Sequence, residues 1–189
     1  MQRKTVLNPV IICMGISGML LLGGRVLQSQ ETSPTEPSKK SHQKAVAELS
    51  ATQGNKVKGK IVFIQEDAGV HVMADVTGLA PGEHGFHIHE KGDCSSPDGK
   101  SAGDHFNPTG MPHAGPTDVK RHVGDLGNLT ADASGKAQYD RVDAQLAFEG
   151  TNSILGRAVI VHATKDDLSS QPAGNAGARI ACGVIELER

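Results

Sequence analysis

The chain has 189 residues, a formal net charge of −2 and 21% charged side chains, a length that suits one domain with an appendage. There is no basic excess to neutralise phosphates, so nucleic-acid binding has no compositional support, nor has a membrane-surface role for the folded part. Aromatic residues make up 3% and tryptophan is absent, so the core must be aliphatic, which still suffices for a domain of about 140 residues.

Arg3 and Lys4 precede the apolar run "VIICMGISGMLLLGG" at 10–24. The run is long for a buried core helix, short for a membrane span and close to a secretory hydrophobic region. Residues 1–27 therefore read as a signal peptide or an N-terminal membrane anchor. The small-x-small cleavage pattern is poorly formed around "GGRVLQSQ", so both fates stay open, with residues 6–27 as the tether if the segment is retained. Cys13 follows Ile11 and Ile12, where a lipoprotein signal needs a small residue, and this speaks against lipid attachment. Export to the periplasm or another extracytoplasmic compartment is expected in either case. The stretch "QSQETSPTEPSKKSHQK" (28–44) is polar and proline-bearing. It cannot bury enough apolar surface to offset its ordering entropy and reads as a flexible linker over 28–43, with His42 solvated. The domain proper is expected over 44–189.

From Ala45 onward no helix-period segment of any length stands out. Short alternating or apolar runs between turn residues predict an all-β sandwich or barrel. "KGKIVFIQED" (58–67) and "HVMADVTGL" (71–79) read as a hairpin turning at Ala68-Gly69. "GFHIHE" (85–90), "KAQYDRVD" (136–143), "GRAVIVHA" (156–163) and "ARIACGVIELE" (178–188) are further strands. Between Lys91 and Asn128 lies a long segment rich in Gly, Pro, Asp, Ser and Asn. An ordered loop of that length is unusual, is often functional, and needs something to hold it. Cys94 and Cys182, an isolated pair in an exported domain, are most simply a disulfide, against two unpaired buried thiols.

Of nine histidines, five fall in or just before that loop: His87, His89, His105, His113 and His122. Asp125 follows His122 by three, and His162 ends the "AVIVH" strand. His87 and His89 share one strand face, because side chains two apart point the same way. A coreless loop loaded with histidines and one aspartate is what a metal-folded loop looks like. Neutral imidazoles suit copper or zinc, and mixed nitrogen and oxygen ligation from His113, His122 and Asp125 suits tetrahedral zinc. Cysteine is missing from both sets, against iron–sulfur or thiolate sites. These seven ligands are too many for one metal and one short of two four-coordinate sites; one histidine using both ring nitrogens would complete the count.

"GFHIHE", "GDHFNP" (103–108), "HVGDLGN" (122–128) and "GNAGARIACGVI" (174–185) occur in this order and resemble copper–zinc superoxide dismutases, most of all the exported bacterial type, from about Lys44 to the C-terminus. The resemblance implies an eight-stranded Greek-key β-barrel with long metal-binding loops. It implies copper on His87, His89, His105 and His162, and zinc on His105, His113, His122 and Asp125, with His105 as the bridge. Asp166 matches the aspartate that joins a copper histidine to a zinc histidine, here His87 and His113. Arg179 matches the arginine that holds the anion beside copper, and Cys94–Cys182 matches the intrasubunit disulfide. The implied activity is disproportionation of superoxide to dioxygen and hydrogen peroxide, with catalytic roles for His105 and Arg179, one copper and one zinc per subunit, and a homodimer as the default assembly.

His71 is expected at the surface or on an edge strand, and His84 in a turn, both outside the site. The charged guidance loop of many animal members is largely missing, because "HATKDDLSSQPAGNAGAR" (162–179) holds Lys165 as its one cation before Arg179. Ala173 stands where many relatives narrow the channel with threonine. Steering then falls to Lys91, Lys100, Lys120 or Arg121. Two other readings stay open at this point: a copper- or zinc-buffering module on the same scaffold, and a non-catalytic disulfide-pinned β-sandwich.

Overall fold

A computed structural model describes residues 43–188; the expected signal or anchor at 1–27, nearly all of the 28–43 linker, Cys13 and His42 lie outside them. The described chain is a closed antiparallel barrel. Its strands are β1 (Lys44–Ala51), β2 (Lys58–Glu66), β3 (Gly69–Thr77), β4 (Gly82–His89), β5 (Asp125–Ala131), β6 (Ala137–Asp143), β7 (Ala158–His162) and β8 (Arg179–Val184), with a two-residue β9 (Glu186–Leu187). Hydrogen-bonded order is β2-β3-β6-β5-β4-β7-β8-β1, closed by the β1–β2 ladder, which removes the open edges that invite aggregation. The order of β4, β5 and β6 in the wall departs from chain order in Greek-key fashion. The expectation of an eight-stranded barrel is met.

Period-2 patterning explains most of the wall. In β3, Val70, Val72, Ala74 and Val76 point inward, and in β2 Ile61 and Phe63 do. The strands β4 and β7 behave differently, being buried on both faces. Phe86, Ile88, Val159 and Val161 fill the barrel. The alternate residues, His87, His89, Ala158, Ile160 and His162, face outward under the loops, where Ala158 and Ile160 pack with Ala102 and Cys182 in a small second cluster. Register shifts interrupt the β4–β5 ladder between Gly85 and His87, and the β7–β8 ladder between Val161 and His162. Such bulges bend a strand and re-aim its side chains, and here they fall where the histidines leave the sheet.

Three expectations need correction. The strands β1 and β5 were not foreseen: β1 alternates through small alanines, and β5 carries Gly127 at φ 83° in a turn-like "DLGNLTA". The long loop therefore ends at Gly124, four residues early. His84 is no turn residue; it is buried within β4. His71 lies at the surface and outside the site, as expected, on the outer face of β3, which runs between β2 and β6 and is not an edge.

Two clamps hold the loop onto the wall. Cys94 and Cys182 form a disulfide with Cα atoms 5.7 Å apart, closing a separation of 88 residues, a loop size for which chain entropy gives about 4–5 kcal/mol as an upper figure. Near the other end Arg121, proposed from sequence as a steering cation, is buried. Its Nη2 donates to both Asp143 carboxylate oxygens at 2.6 and 2.7 Å, and its Nη1 to the carbonyls of His122, Val123 and Asp125 at 3.0, 3.0 and 3.2 Å. Its charge is consumed by Asp143 and reaches no solvent. Breaking a buried pair strands the remaining charge and costs about 3–5 kcal/mol. Asp143→Ala should lower urea-unfolding stability by that amount; a loss under about 1 kcal/mol would show that the pair is not a clamp.

Candidate metal centre

Each outward histidine is held through one ring nitrogen. His87 Nε2 donates to Asp166 Oδ2 at 2.7 Å, His89 Nδ1 to the Gly103 carbonyl at 2.9 Å and His162 Nδ1 to the Gly177 carbonyl at 3.2 Å. His105 Nδ1 lies 2.9 Å from Asp125 Oδ1. The other nitrogen of each, His87 Nδ1, His89 Nε2, His105 Nε2 and His162 Nε2, is buried without a hydrogen-bond partner. A buried polar atom left unpaired is costly, and four of them on residues whose ligand atoms lie within 4.8 Å of one another make a ready-built four-nitrogen site. Bonding at one nitrogen is also what fixes an imidazole's tautomer for ligation at the other.

The second cluster is His105, His113, His122 and Asp125, again within 4.8 Å. Asp125 Oδ1 lies 2.9, 3.0 and 3.3 Å from the Nδ1 atoms of His105, His113 and His122. Its Oδ2 is anchored by the backbone amides of Ala114 at 3.2 Å and His122 at 3.0 Å. Three imidazoles and a carboxylate oriented on one point are a donor set suited to tetrahedral zinc. His105 belongs to both clusters, its Nδ1 turned to Asp125 and its Nε2 to the other side. The ring centroids of His105 and His87 are 4.0 Å apart, those of His105 and His113 5.4 Å.

The electrostatics separate the two clusters. Burial, reinforced by the neighbouring His105, pulls His87 down to about 4; burial and His87 pull His162 down to about 3. Burial likewise takes His89 and His105 below the ordinary imidazole value. Neutral rings with open lone pairs are the form a soft metal takes up. In the second cluster burial opposes charge on His113, but hydrogen bonds to Asp125 and Asp166 win and raise it to about 9. Asp125 and Asp166 resist ionisation through burial, yet their histidine hydrogen bonds hold both well below the usual carboxylate range.

Asp166, fully buried, spans the clusters: its Oδ1 accepts from His113 Nε2 at 2.9 Å while its Oδ2 takes His87. Gly174, at φ 64°, packs against this link, and a Cβ there would land on the Asp166 carboxylate and the His113 ring. Sequence reasoning missed three supports. Asn128, within the quoted "HVGDLGN", exchanges two hydrogen bonds with the Asp166 backbone at 2.8 and 2.9 Å. His84 joins β4 to the first cluster, its Nδ1 2.8 Å from the His162 carbonyl and its Nε2 2.9 Å from that of Ala80. Gln171 binds the His113 backbone. His71 lies apart, paired with Asp140 at 2.9 Å.

Arg179 lines a cavity of about 580 Å³ together with Lys100, Asp98 and Asp104. Its guanidinium donates to the carbonyls of Gly99 at 2.9 Å and Gly103 at 2.6 Å, the residues that flank the 3₁₀ turn Lys100–Ala102. Gly103 also receives His89, so one carbonyl ties the arginine to the first cluster. Of the proposed steering residues Lys100 alone is on this cavity; Lys91 and Lys120 are not among its lining residues, and neither is Ala173.

Comparison with known proteins gives a consistent result. A protein named Superoxide dismutase (Cu-Zn) 2 from Mesembryanthemum crystallinum is 49% identical over 152 residues, 77% of this chain and 96% of that protein. The crystal structure of the clock protein EA4 superposes with a TM-score of 0.72 at 45% identity, over 82% of this chain and 100% of the other. Residues 57–185 match the family described as copper/zinc superoxide dismutase. Every strand from β2 to β8 and both histidine clusters fall within or against that span, and the chain belongs to the copper/zinc superoxide dismutase family of oxidoreductases, whose metals are copper and zinc.

Proposed function

We propose that the chain disproportionates superoxide at a histidine-bridged copper–zinc centre outside the cytoplasm. His105 carries the reading: it alone is common to both clusters and faces one with each ring nitrogen. Copper is assigned to His87, His89, His105 and His162, and zinc to His105, His113, His122 and Asp125. Bound copper would supply the one-electron couple of the reaction, while zinc has no redox chemistry of its own. Two superoxide anions and two protons become one dioxygen and one hydrogen peroxide. Arg179 gives the incoming anion a fixed positive charge and is itself immobilised by two carbonyls. His105 is the proton-holding residue: Nε2, buried and unpaired, accepts the proton that peroxide needs, while Asp125 keeps Nδ1 directed at the second cluster. Asp166 prevents the His87 and His113 rings from turning independently.

Location outside the cytoplasm is supported by the disulfide, which persists in oxidising compartments, and by the apolar run at 10–24. Tethering through residues 6–27 and assembly as a homodimer rest on the sequence and the resemblance alone.

The full-length protein should carry one copper and one zinc per subunit and accelerate superoxide decay, and His105→Ala should lose activity together with a share of both metals. Stoichiometric metal without activity would favour the buffering module; no stoichiometric metal would overturn the reading. Zinc uptake should be acid-sensitive in a way that copper uptake is not. His113 keeps its second proton up to about pH 9, and zinc must displace it from Nδ1. Apparent zinc affinity should therefore rise about tenfold per pH unit as pH climbs toward 9, then level off, with protons released on binding. Copper uptake should vary little above pH 5, because His87 and His162 are already neutral there. Isothermal titration in buffers of different ionisation enthalpy measures both, and equal pH slopes for the two metals would contradict the assignment.

Substrate entry should depend on Lys100. Lys165 is held by Glu83 at 2.6 Å, whereas Lys100, 2.9 Å from Asp98, stays on the cavity wall. Lys100→Gln and Arg179→Gln should lower kcat/KM at low ionic strength and flatten its decline with salt, since opposed exposed charges are screened over about 10 Å at 0.1 M. Lys165→Gln should behave as wild type. A wild-type salt profile in Lys100→Gln would reject its part in steering.

A further inference from the structure

The segment 163–178, between β7 and β8, does more than carry Asp166. It holds His113 at two levels: Asp166 takes the ring at Nε2, and Gln171 takes the backbone. Gln171 Oε1 accepts the His113 N–H at 2.8 Å, and Gln171 Nε2 donates to the His113 carbonyl at 2.8 Å. A carboxamide is suited to this, presenting an acceptor and a donor side by side, as a neighbouring peptide group would. A third bond, Nε2 to the Ser169 carbonyl at 3.1 Å, orients the amide.

The arrangement is reciprocal. Asn128 on β5 pairs in the same two-bond manner with the backbone of Asp166. The His113 ring and the Asp166 carboxylate are partners in one hydrogen bond, and the backbone of each is held by an amide from the opposite segment. With the Asp166 bond alone, the ring could pivot about Nε2 and swing Nδ1 away from Asp125. Two further bonds to its own backbone leave little freedom to do so.

Resting on the zinc assignment above, we propose that Gln171 is a positioning residue for His113, holding its backbone so that the ring presents Nδ1 to the second cluster. The interaction acts on the second cluster, because the side-chain hydrogen bonds of Gln171 go to His113 and Ser169.

The test uses full-length protein stripped of metal. Zinc affinity is measured by competition with a chromophoric chelator for wild type, Gln171→Ala, Gln171→Glu and the surface control Gln138→Ala. Gln171→Glu keeps the acceptor and the shape but loses the donor, so it probes the amide without opening a gap. Both Gln171 variants should bind zinc about tenfold more weakly, the scale seen when an outer partner of a ligand is removed. Cobalt placed in the zinc site should show shifted visible bands, copper affinity should change far less, and Gln138→Ala should match wild type. Wild-type zinc affinity and cobalt spectra in both variants would overturn the proposal, as would equal losses of copper and zinc. A wild-type protein that takes up no zinc would overturn the metal assignment itself, and the proposal with it.

Discussion

The structure depends on one unfavourable placement: six imidazoles and two carboxylates are packed, nearly dry, between the outside of a barrel wall and a loop with almost no core of its own. Burying such groups is tolerable only if each is paired, and the fold engages both oxygens of each carboxylate but only one nitrogen of each ring in the first cluster. Carbonyls of Gly103 and Gly177 and the carboxylates of Asp125 and Asp166 take one nitrogen from each ring of the first cluster and from His113. The nitrogens left over face each other. Metal binding resolves that cost, so the same contacts that make the loop expensive to close without metal make it rigid with metal.

The two clusters differ because carboxylates are distributed unevenly between them. Asp125 lies among the second set and Asp166 touches one ring of each. The purely imidazole set therefore sheds its protons through burial, while the mixed set retains charge of both signs. A shared His105 lies across that boundary. Its environment combines a low-charge side, where Nε2 is buried without a hydrogen-bond partner, with an anionic side that fixes Nδ1. This asymmetry in a single ring comes from the placement of one aspartate three residues after a histidine.

Much of this was readable from the chain. Alternation in "GFHIHE" located two ligands on one strand face, and the ligand count of seven already called for one residue serving twice. The elements that escaped did so for physical reasons. The strand β1 presents alanines where a hydrophobic pattern needs larger side chains, and β5 hides behind a glycine at positive φ. His84 looked like a turn residue because a proline–glycine pair precedes it, yet it bonds a carbonyl 78 positions away. Arg121 looked like a surface cation until the fold brought Asp143 against it. Gln171 and Asn128 recognise peptide groups, and nothing local in a sequence marks a side-chain amide that will meet a distant backbone.

The strand β4 has a consequence beyond geometry. From His84 to His89 every side chain is buried, those on one side by the barrel and those on the other by the loops. An ordinary surface strand offers every second position to drift, and sequence can change there without penalty. This strand offers none over those six residues: a change at Phe86 or Ile88 is felt as lost packing, and a change at His87 or His89 as a lost ligand. The bulge at Gly85 closes the remaining escape, because a one-residue slip would exchange the two sets and fail on both counts. Such a segment can vary only in step with its surroundings, so over evolutionary time it should be the slowest-changing stretch of the wall.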